Sequence, residues 1–306
     1  MLYAHINLLY AGREVLFADN YQHFAHILVL YAHINLLYAG REANFPIFVN
    51  KNTMLNYEIY GTGSQNLVLL HGFMENLLMW DDMAPLLSKR FRLIKIDLPG
   101  HGRSDLYAQT HTMELMAEKV KEVTDALKLD QFHLLGHSMG GYVSLAFAEK
   151  FPKALKSFTL FFSTFFADNE EKKETRRKSF RIIEENFKTF VNAGVPNLFS
   201  PMEKQRLSEK IELAKTIALS HKPKGIIAAT KGMIERTDKR SVLEHFEGKI
   251  LIIAGKYDNA VNTETTIKAL PERDNIKSYI LDCGHNGHWE KPEICAAIVN
   301  TELLEN

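Results

Sequence analysis

One serine sits among glycines in a pattern that could do chemistry: Gly136-His137-Ser138-Met139-Gly140, followed by Gly141. An apolar run ends at Leu135 and a helical pattern begins near Met139, so Ser138 falls on a sharp strand-to-helix turn. A G-x-S-x-G turn lifts the hydroxyl above a sheet and aims it at a helix N-terminus. Unpaired backbone N–H groups there favour a developing anion. Neighbouring side chains would clash on so tight a turn, and glycines at 136 and 140 avoid this. Ser138 is the candidate nucleophile.

A serine hydroxyl attacks only when a base takes its proton. With the order serine, acid, histidine, the partners lie downstream. Asp258 follows the apolar run at 249–254, and His285 follows the run at 277–281 within Asp282-Cys283-Gly284-His285. Two successive strands would then deliver an acid and a base to one edge of a sheet, at the strands' carboxyl ends. Three rivals stand beside them. His288 lies three residues beyond His285, although Gly284 suits a tight loop and favours His285. His137 abuts the nucleophile and is expected to pack. Asp282 adjoins the base and leaves little room for a side-on hydrogen bond. For the oxyanion, Leu69-Leu70-His71-Gly72-Phe73 ends a strand in a His-Gly turn, so the backbone N–H groups of Phe73 and Met139 are the expected donors.

The elements that must hold these residues alternate. Strand patterns fall at 66–70, 92–98, 132–135, 155–162, 249–254 and 277–281, with β-rich runs at 45–51 and 54–60 read as an opening hairpin. Helical patterns fall at about 80–90, 113–127, 139–150 and 292–304. The alternation predicts an α/β class, a mostly parallel central sheet with helices on both faces. Residues 163–247 break it, with no strand and helical patterns at 170–191 and 202–220, as a cap inserted between two strands would. The charge run at 170–178 reads as a solvated helix face.

Of 306 residues, 46% are hydrophobic and 24% charged, enough apolar material for a sizeable core. Lys plus Arg equals Asp plus Glu at 37 each, so nothing points to nucleic acid as a partner. Cys283 and Cys295 fit no metal spacing, and a reduced, cytoplasmic setting is expected. The first 44 residues carry the same thirteen residues twice, at 2–14 and 30–42. Two identical copies read as a recent DNA duplication, an over-extended start or an added sequence rather than a solenoid. The apolar stretch at 24–38 is interrupted by His26, His33 and Asn35 and falls short of a bilayer span, so stable membrane insertion is not expected. No chemistry is assigned to residues 1–44, and the working domain is taken as 45–306.

Taken together, His71-Gly72, Asp97-Leu98-Pro99-Gly100-His101-Gly102-Arg103-Ser104, the GHSMGG turn, Gly255 to Asp258, and Gly284-His285 with Glu290-Lys291-Pro292 resemble the α/β-hydrolase family, in its subset with helical caps. That subset includes carboxylesterases, pimeloyl-carrier-protein methyl ester esterases, enol-lactonases and carbon–carbon bond hydrolases. In the family the histidine usually precedes a Glu-x-Pro by five residues, which picks out His285 over His288. The resemblance implies an α/β-hydrolase fold and a serine hydrolase acting on a small or medium, apolar ester, with Ser138 as nucleophile, His285 as base and Asp258 as its orienter. No metal or organic cofactor is required by that chemistry. Serine at 138 disfavours haloalkane dehalogenases and most epoxide hydrolases of this fold, which use aspartate. His137 stands where carbon–carbon hydrolases usually carry Asn, which lowers that option. A lactonase or carbon–carbon hydrolase with the same triad, and a non-catalytic ligand receptor, remain the alternatives. Phe165, Phe166, Phe190 and Phe199 of the cap are expected mostly to pack it onto the body, and in part to offer apolar surface to a substrate.

Overall fold

The computed structural model describes residues 54–304; the repeated segment at 1–44 and the strand expected at 45–51 lie outside the described residues. Strands β1 (Tyr57–Tyr60), β2 (Gln65–Leu70), β3 (Phe91–Ile96), β4 (Phe132–His137), β5 (Leu155–Phe161), β6 (Lys249–Gly255) and β7 (Ile276–Leu281) form one sheet. Its order is β1-β3-β2-β4-β5-β6-β7. β1 runs antiparallel to β3, with Tyr57 opposite Ile96, and all other neighbours are parallel. The carboxyl ends of β2, β4, β5, β6 and β7 therefore share one edge.

The runs are strands because both their faces are buried. Alternate residues serve opposite layers: Val68 and Leu70 join Leu134, Phe158 and Ile250 on one side, while Leu67 and Leu69 join Leu135, Phe161 and Leu251 on the other. The first layer is completed by α2 (Met113–Ala126) and α3 (Met139–Lys150), the second by α1 (Ala84–Leu87) and, at the chain's end, α10 (Pro292–Glu302). Thr112 starts α2 by accepting the Leu115 N–H at 3.1 Å.

Between β5 and β6 the described residues form four α-helices and no strand: α4 (Glu170–Gly194), α5 (Ser208–Leu219), α6 (Pro223–Glu235) and α7 (Arg240–His245). Asn186 (φ −153°, ψ 66°) kinks α4 and recaps it, accepting from Thr189 N at 3.1 Å. Two short helices, α8 (Thr263–Lys268) and α9 (Gly287–Glu290), follow β6 and β7. No described helix is long and apolar enough to cross a membrane.

Two expected helices come out shorter. The 80–90 pattern becomes a 3-10 turn (Leu77–Trp80) and the single turn of α1, since Pro85 has no N–H with which to continue a helix from Asp81. The 202–220 helix begins only at Ser208. The residues before it are tied elsewhere, Arg206 to the Glu290 carbonyl at 3.1 Å and Glu203 to Lys291 at 3.2 Å.

Asp97, just past β3, holds the loops beside the sheet edge. Its Oδ1 accepts Leu77 N at 2.8 Å, and its Oδ2 accepts Arg103 N at 2.9 Å and Asn56 Nδ2 at 2.8 Å. Asp97→Ala strands these donors, and urea unfolding is expected to show a loss of about 3 kcal/mol or more. Asp97→Asn, which keeps acceptor capacity, should lose less.

Candidate active site

Ser138 occupies the turn between β4 and α3 with φ 50° and ψ −113°, a region that costs a non-glycine residue energy. The surroundings hold it there. Its N–H donates to Phe161 O at 3.0 Å, and its carbonyl accepts Gly141 N at 2.9 Å and the Ser163 hydroxyl at 2.7 Å. A Cβ at Gly136 would sit 2.2 Å from Gly140 O, and one at Gly140 2.6 Å from Leu70 O, so both glycines are required by contact.

Asp258 and His285 meet beyond β6 and β7. His285 Nδ1 lies 2.7 Å from Asp258 Oδ2, with both side chains almost fully buried. Asp258 Oδ1 accepts two backbone N–H groups, from Ala260 at 2.8 Å and Val261 at 2.9 Å. The carboxylate can hardly turn. An Nδ1–H given to Asp258 leaves Nε2 of the neutral ring with its lone pair. Glu290 shapes the histidine loop, its Oε2 accepting Gly284 N at 2.9 Å, while His285 N donates to Leu198 O at 2.8 Å. This gives the five-residue spacing from His285 to Glu290 a physical basis.

The rivals go elsewhere. Asp282 is largely exposed and pairs with Lys256 at 3.2 Å. His288 is fully buried, and its ring makes no hydrogen bond among the described residues. Burial holds it well below the ordinary imidazole range. Cys283 and Cys295 are buried free thiols, both pushed up by burial, Cys295 to about 12.

Ser138, His285 and Phe73 line one cavity of about 430 Å³, with Phe190, Leu198 and Met233 as its apolar wall. Met139 is the first residue of α3, where backbone N–H groups have no helical acceptor. A larger cleft of about 880 Å³ beside Arg103, Lys119, Lys222 and Lys224 contains none of these residues, so the candidate site is singled out by its chemistry and not by its size.

The family model for the alpha/beta hydrolase fold matches residues 65–292. The chain belongs to the α/β-hydrolase family. This hydrolase is 30% identical over 216 residues to the pimeloyl-(acyl-carrier protein) methyl ester esterase of Sodalis glossinidius, covering 68% of this chain and 80% of that one. It is 27% identical over 256 residues to the 2-hydroxy-6-oxononadienedioate/2-hydroxy-6-oxononatrienedioate hydrolase of Escherichia coli, covering 78% and 87%. A 104-residue match at 40% identity spans only 28% of the dihydrolipoyllysine-residue acetyltransferase component of a Pseudomonas putida acetoin cleaving system. Among solved structures, a thermophilic esterase from Thermogutta terrifontis superposes with TM-score 0.77 at 28% identity, covering 85% of the hydrolase and 98% of that chain.

Several features of the hydrolase's site were not read from its sequence. His137 does more than pack: its Nδ1 lies 2.8 Å from Glu75 Oε2 and its Nε2 3.0 Å from the His285 carbonyl. Glu75 carried no sequence signal, since nothing in a lone Glu three residues past Gly72 tells of a partner 62 positions away. Lys172 and Arg176 also line the cavity, although the composition of their run predicts a solvated face. Lys173 and Arg177 do pair on the outer face of α4, with Glu170 and Glu174. Of the four phenylalanines at 165, 166, 190 and 199 only Phe190 reaches the cavity; Phe165 is buried against Phe166, and Phe199 stacks on Trp289.

Glu75, His137 and His288 offer donor atoms within 4.8 Å of one another, close enough for a metal ion. Both nitrogens of His137 are already taken by hydrogen bonds, however, so the group is a hydrogen-bonded pair with a neutral ring beside it.

Burial alone would raise the Glu75 carboxyl, but the charge on His137 and its hydrogen bond outweigh it and bring the group down to about 2. Burial would lower His137, and the Glu75 carboxylate raises it instead. A lowered acid stabilises the fold fully above its ordinary value, near 4.5, and loses that effect as pH falls through about 2. A raised histidine stabilises fully below about 6.5 and loses the effect as pH climbs through its higher folded value. Both contributions are complete only between those limits. Glu75→Ala, which leaves His137 buried and unpaired, should cost about 3–5 kcal/mol at pH 5.5 in urea unfolding. The gap to wild type should narrow toward pH 2.

Proposed function

We propose that this hydrolase cleaves carboxylic esters through an acyl-enzyme, with Ser138 as nucleophile, His285 as general base and acid, and Asp258 as the group that orients His285. The observation that carries the reading is the 2.7 Å Asp258–His285 hydrogen bond, at the rim of a cavity that both Ser138 and His285 line. The Ser138 oxygen forms a bond to the ester carbonyl carbon while its proton passes to His285 Nε2. The backbone N–H groups of Phe73 and Met139 receive the oxyanion. Collapse expels the alcohol, which takes the proton from His285. Water, deprotonated in turn by His285, releases the acid and restores Ser138. The sequence relatives named as an esterase and a dioate hydrolase support hydrolysis as the class. A cytoplasmic setting goes with the reading, because both cysteines are free thiols.

Cavity charge narrows the substrate. Asp168 is clasped by Arg236 through two 2.8 Å bonds and by Arg176 at 2.6 Å, with Lys172 at 3.8 Å. One carboxylate thus serves three cations, and the surplus positive charge lies where Lys172 and Arg176 line the cavity. An ester with an apolar middle and an acidic far end matches both features.

A fluorophosphonate probe should label wild type and leave Ser138→Ala silent, with ester turnover down on the order of 10⁴–10⁶-fold. Asp258→Asn should lose about 10⁴-fold. An inert wild type would favour a ligand receptor, and turnover of a vinylogous diketone but no ester would favour carbon–carbon hydrolysis. For specificity, Lys172→Met should raise KM about fivefold for the p-nitrophenyl half-ester of a dicarboxylic acid, matching ~1 kcal/mol from one partly exposed charge. The neutral ester of the same length should keep its KM; equal effects on both would remove the acidic-end assignment.

A further inference from the structure

Three backbone segments must keep their relative positions if this reading of the site holds: the turn after β2 with the Phe73 N–H, the turn carrying Ser138, and the loop carrying His285. We propose that Glu75 and a doubly protonated His137 form a buried staple that joins all three. Glu75 Oε2 accepts Gly72 N at 2.7 Å, closing the turn whose next residue is Phe73. The same oxygen lies 2.8 Å from His137 Nδ1, and His137 is the residue before Ser138. The far nitrogen of His137 then reaches the backbone carbonyl of His285 at 3.0 Å.

The protonation follows from the partners. A carboxylate and a carbonyl only accept, so His137 meets both contacts only by donating from both nitrogens. His221 provides the contrast: its ring also lies between two carbonyl oxygens, those of Ala218 and Glu75, each at 3.0 Å. No carboxylate among the described residues accepts from that ring and burial lowers it, so only one of its two carbonyl contacts carries a proton, and Glu75 is what distinguishes His137. The charge on His137 is kept by Glu75. The other titratable groups facing His137 are His285 and His288, with ring centroids each 4.9 Å away, and the more distant Asp258. His288 stays neutral in its buried place and adds no competing charge.

Both are positioning residues, since neither is assigned a bond to the reacting atoms. Their test combines imidazole protonation with kinetics. Long-range proton–nitrogen NMR on ring-labelled full-length protein at pH 8, assigned with His137→Asn, should find protons on both nitrogens of His137 and on one nitrogen of His221. In Glu75→Gln, which preserves shape and removes the charge, His137 should keep a single proton. The kcat of that variant for a p-nitrophenyl ester should fall about 10²-fold with KM within twofold, as expected for reacting groups displaced on the order of 1 Å. Fluorophosphonate labelling of Ser138 should slow in parallel. A singly protonated His137 in wild type overturns the staple whether or not any variant folds. So does a folded Glu75→Gln with unchanged kcat, or a metal ion that copurifies at one per chain and is lost in His288→Ala. Wild type that the probe never labels instead removes the serine-hydrolase reading, while the ring protons still report on the staple.

Discussion

The backbone of Ser138 is held where it would not rest by itself. A φ of 50° with ψ −113° is tolerated because the residue is over-determined: the Phe161 carbonyl accepts its N–H, and the Gly141 N–H and Ser163 hydroxyl donate to its carbonyl. Two of those partners depend on the sheet. Phe161 belongs to β5, paired in parallel with β4 so that Phe161 lies opposite His137, and Ser163 lies two residues further along the chain. Glycines 136 and 140 are the residues that permit the approach. The turn is therefore a consequence of parallel pairing in the middle of the sheet, and the cost of its strain is met by hydrogen bonds and burial around it.

A parallel sheet brings strand ends to a common edge but does not fix the loops that leave them. In this hydrolase the loops after β2, β3, β6 and β7 are each fixed by a buried carboxylate that accepts backbone N–H groups. Asp258 takes Ala260 and Val261, Glu290 takes Gly284, Glu75 takes Gly72, and Asp97 takes Leu77 and Arg103. A carboxylate suits the role because its two oxygens offer about four acceptor positions, enough to satisfy neighbouring backbone donors and still hold a side chain. Asp258 does this for His285, and Glu75 for His137.

What could be read from sequence was what short-range pattern encodes. The strands are continuous apolar runs, and their ends are marked by the glycine, histidine and aspartate that follow. The helix at Met139 begins where the expected turn ends. Asp258 and His285 were legible as neighbours because each follows one of two successive strands. Glu75 was not, because its partner is set by the packing of β2 beside β4 and by no local pattern. The same limit applies to the charge run in α4. Its composition reads as a solvated face, yet residues 172 and 176, four apart, share one side of the helix and turn inward to Asp168. Which side faces in depends on where Asp168 and Arg236 meet, 68 positions apart in the chain.

A buried ion pair is a poor source of net stability, because desolvating both charges offsets most of their attraction and an apolar pair of the same volume often does as well. The position of Glu75 and His137 therefore argues for geometry over stability. An apolar pair could fill the space, but it could neither accept the Gly72 N–H nor donate to the His285 carbonyl, and both backbone groups would remain buried without partners. A neutral histidine could serve one of the two loops but not both. Only the charged ring reaches in both directions, and it keeps its charge because a carboxylate faces it. The same reasoning separates it from His288, which lies in the same interior, has no carboxylate within hydrogen-bonding distance among the described residues and is held neutral by burial.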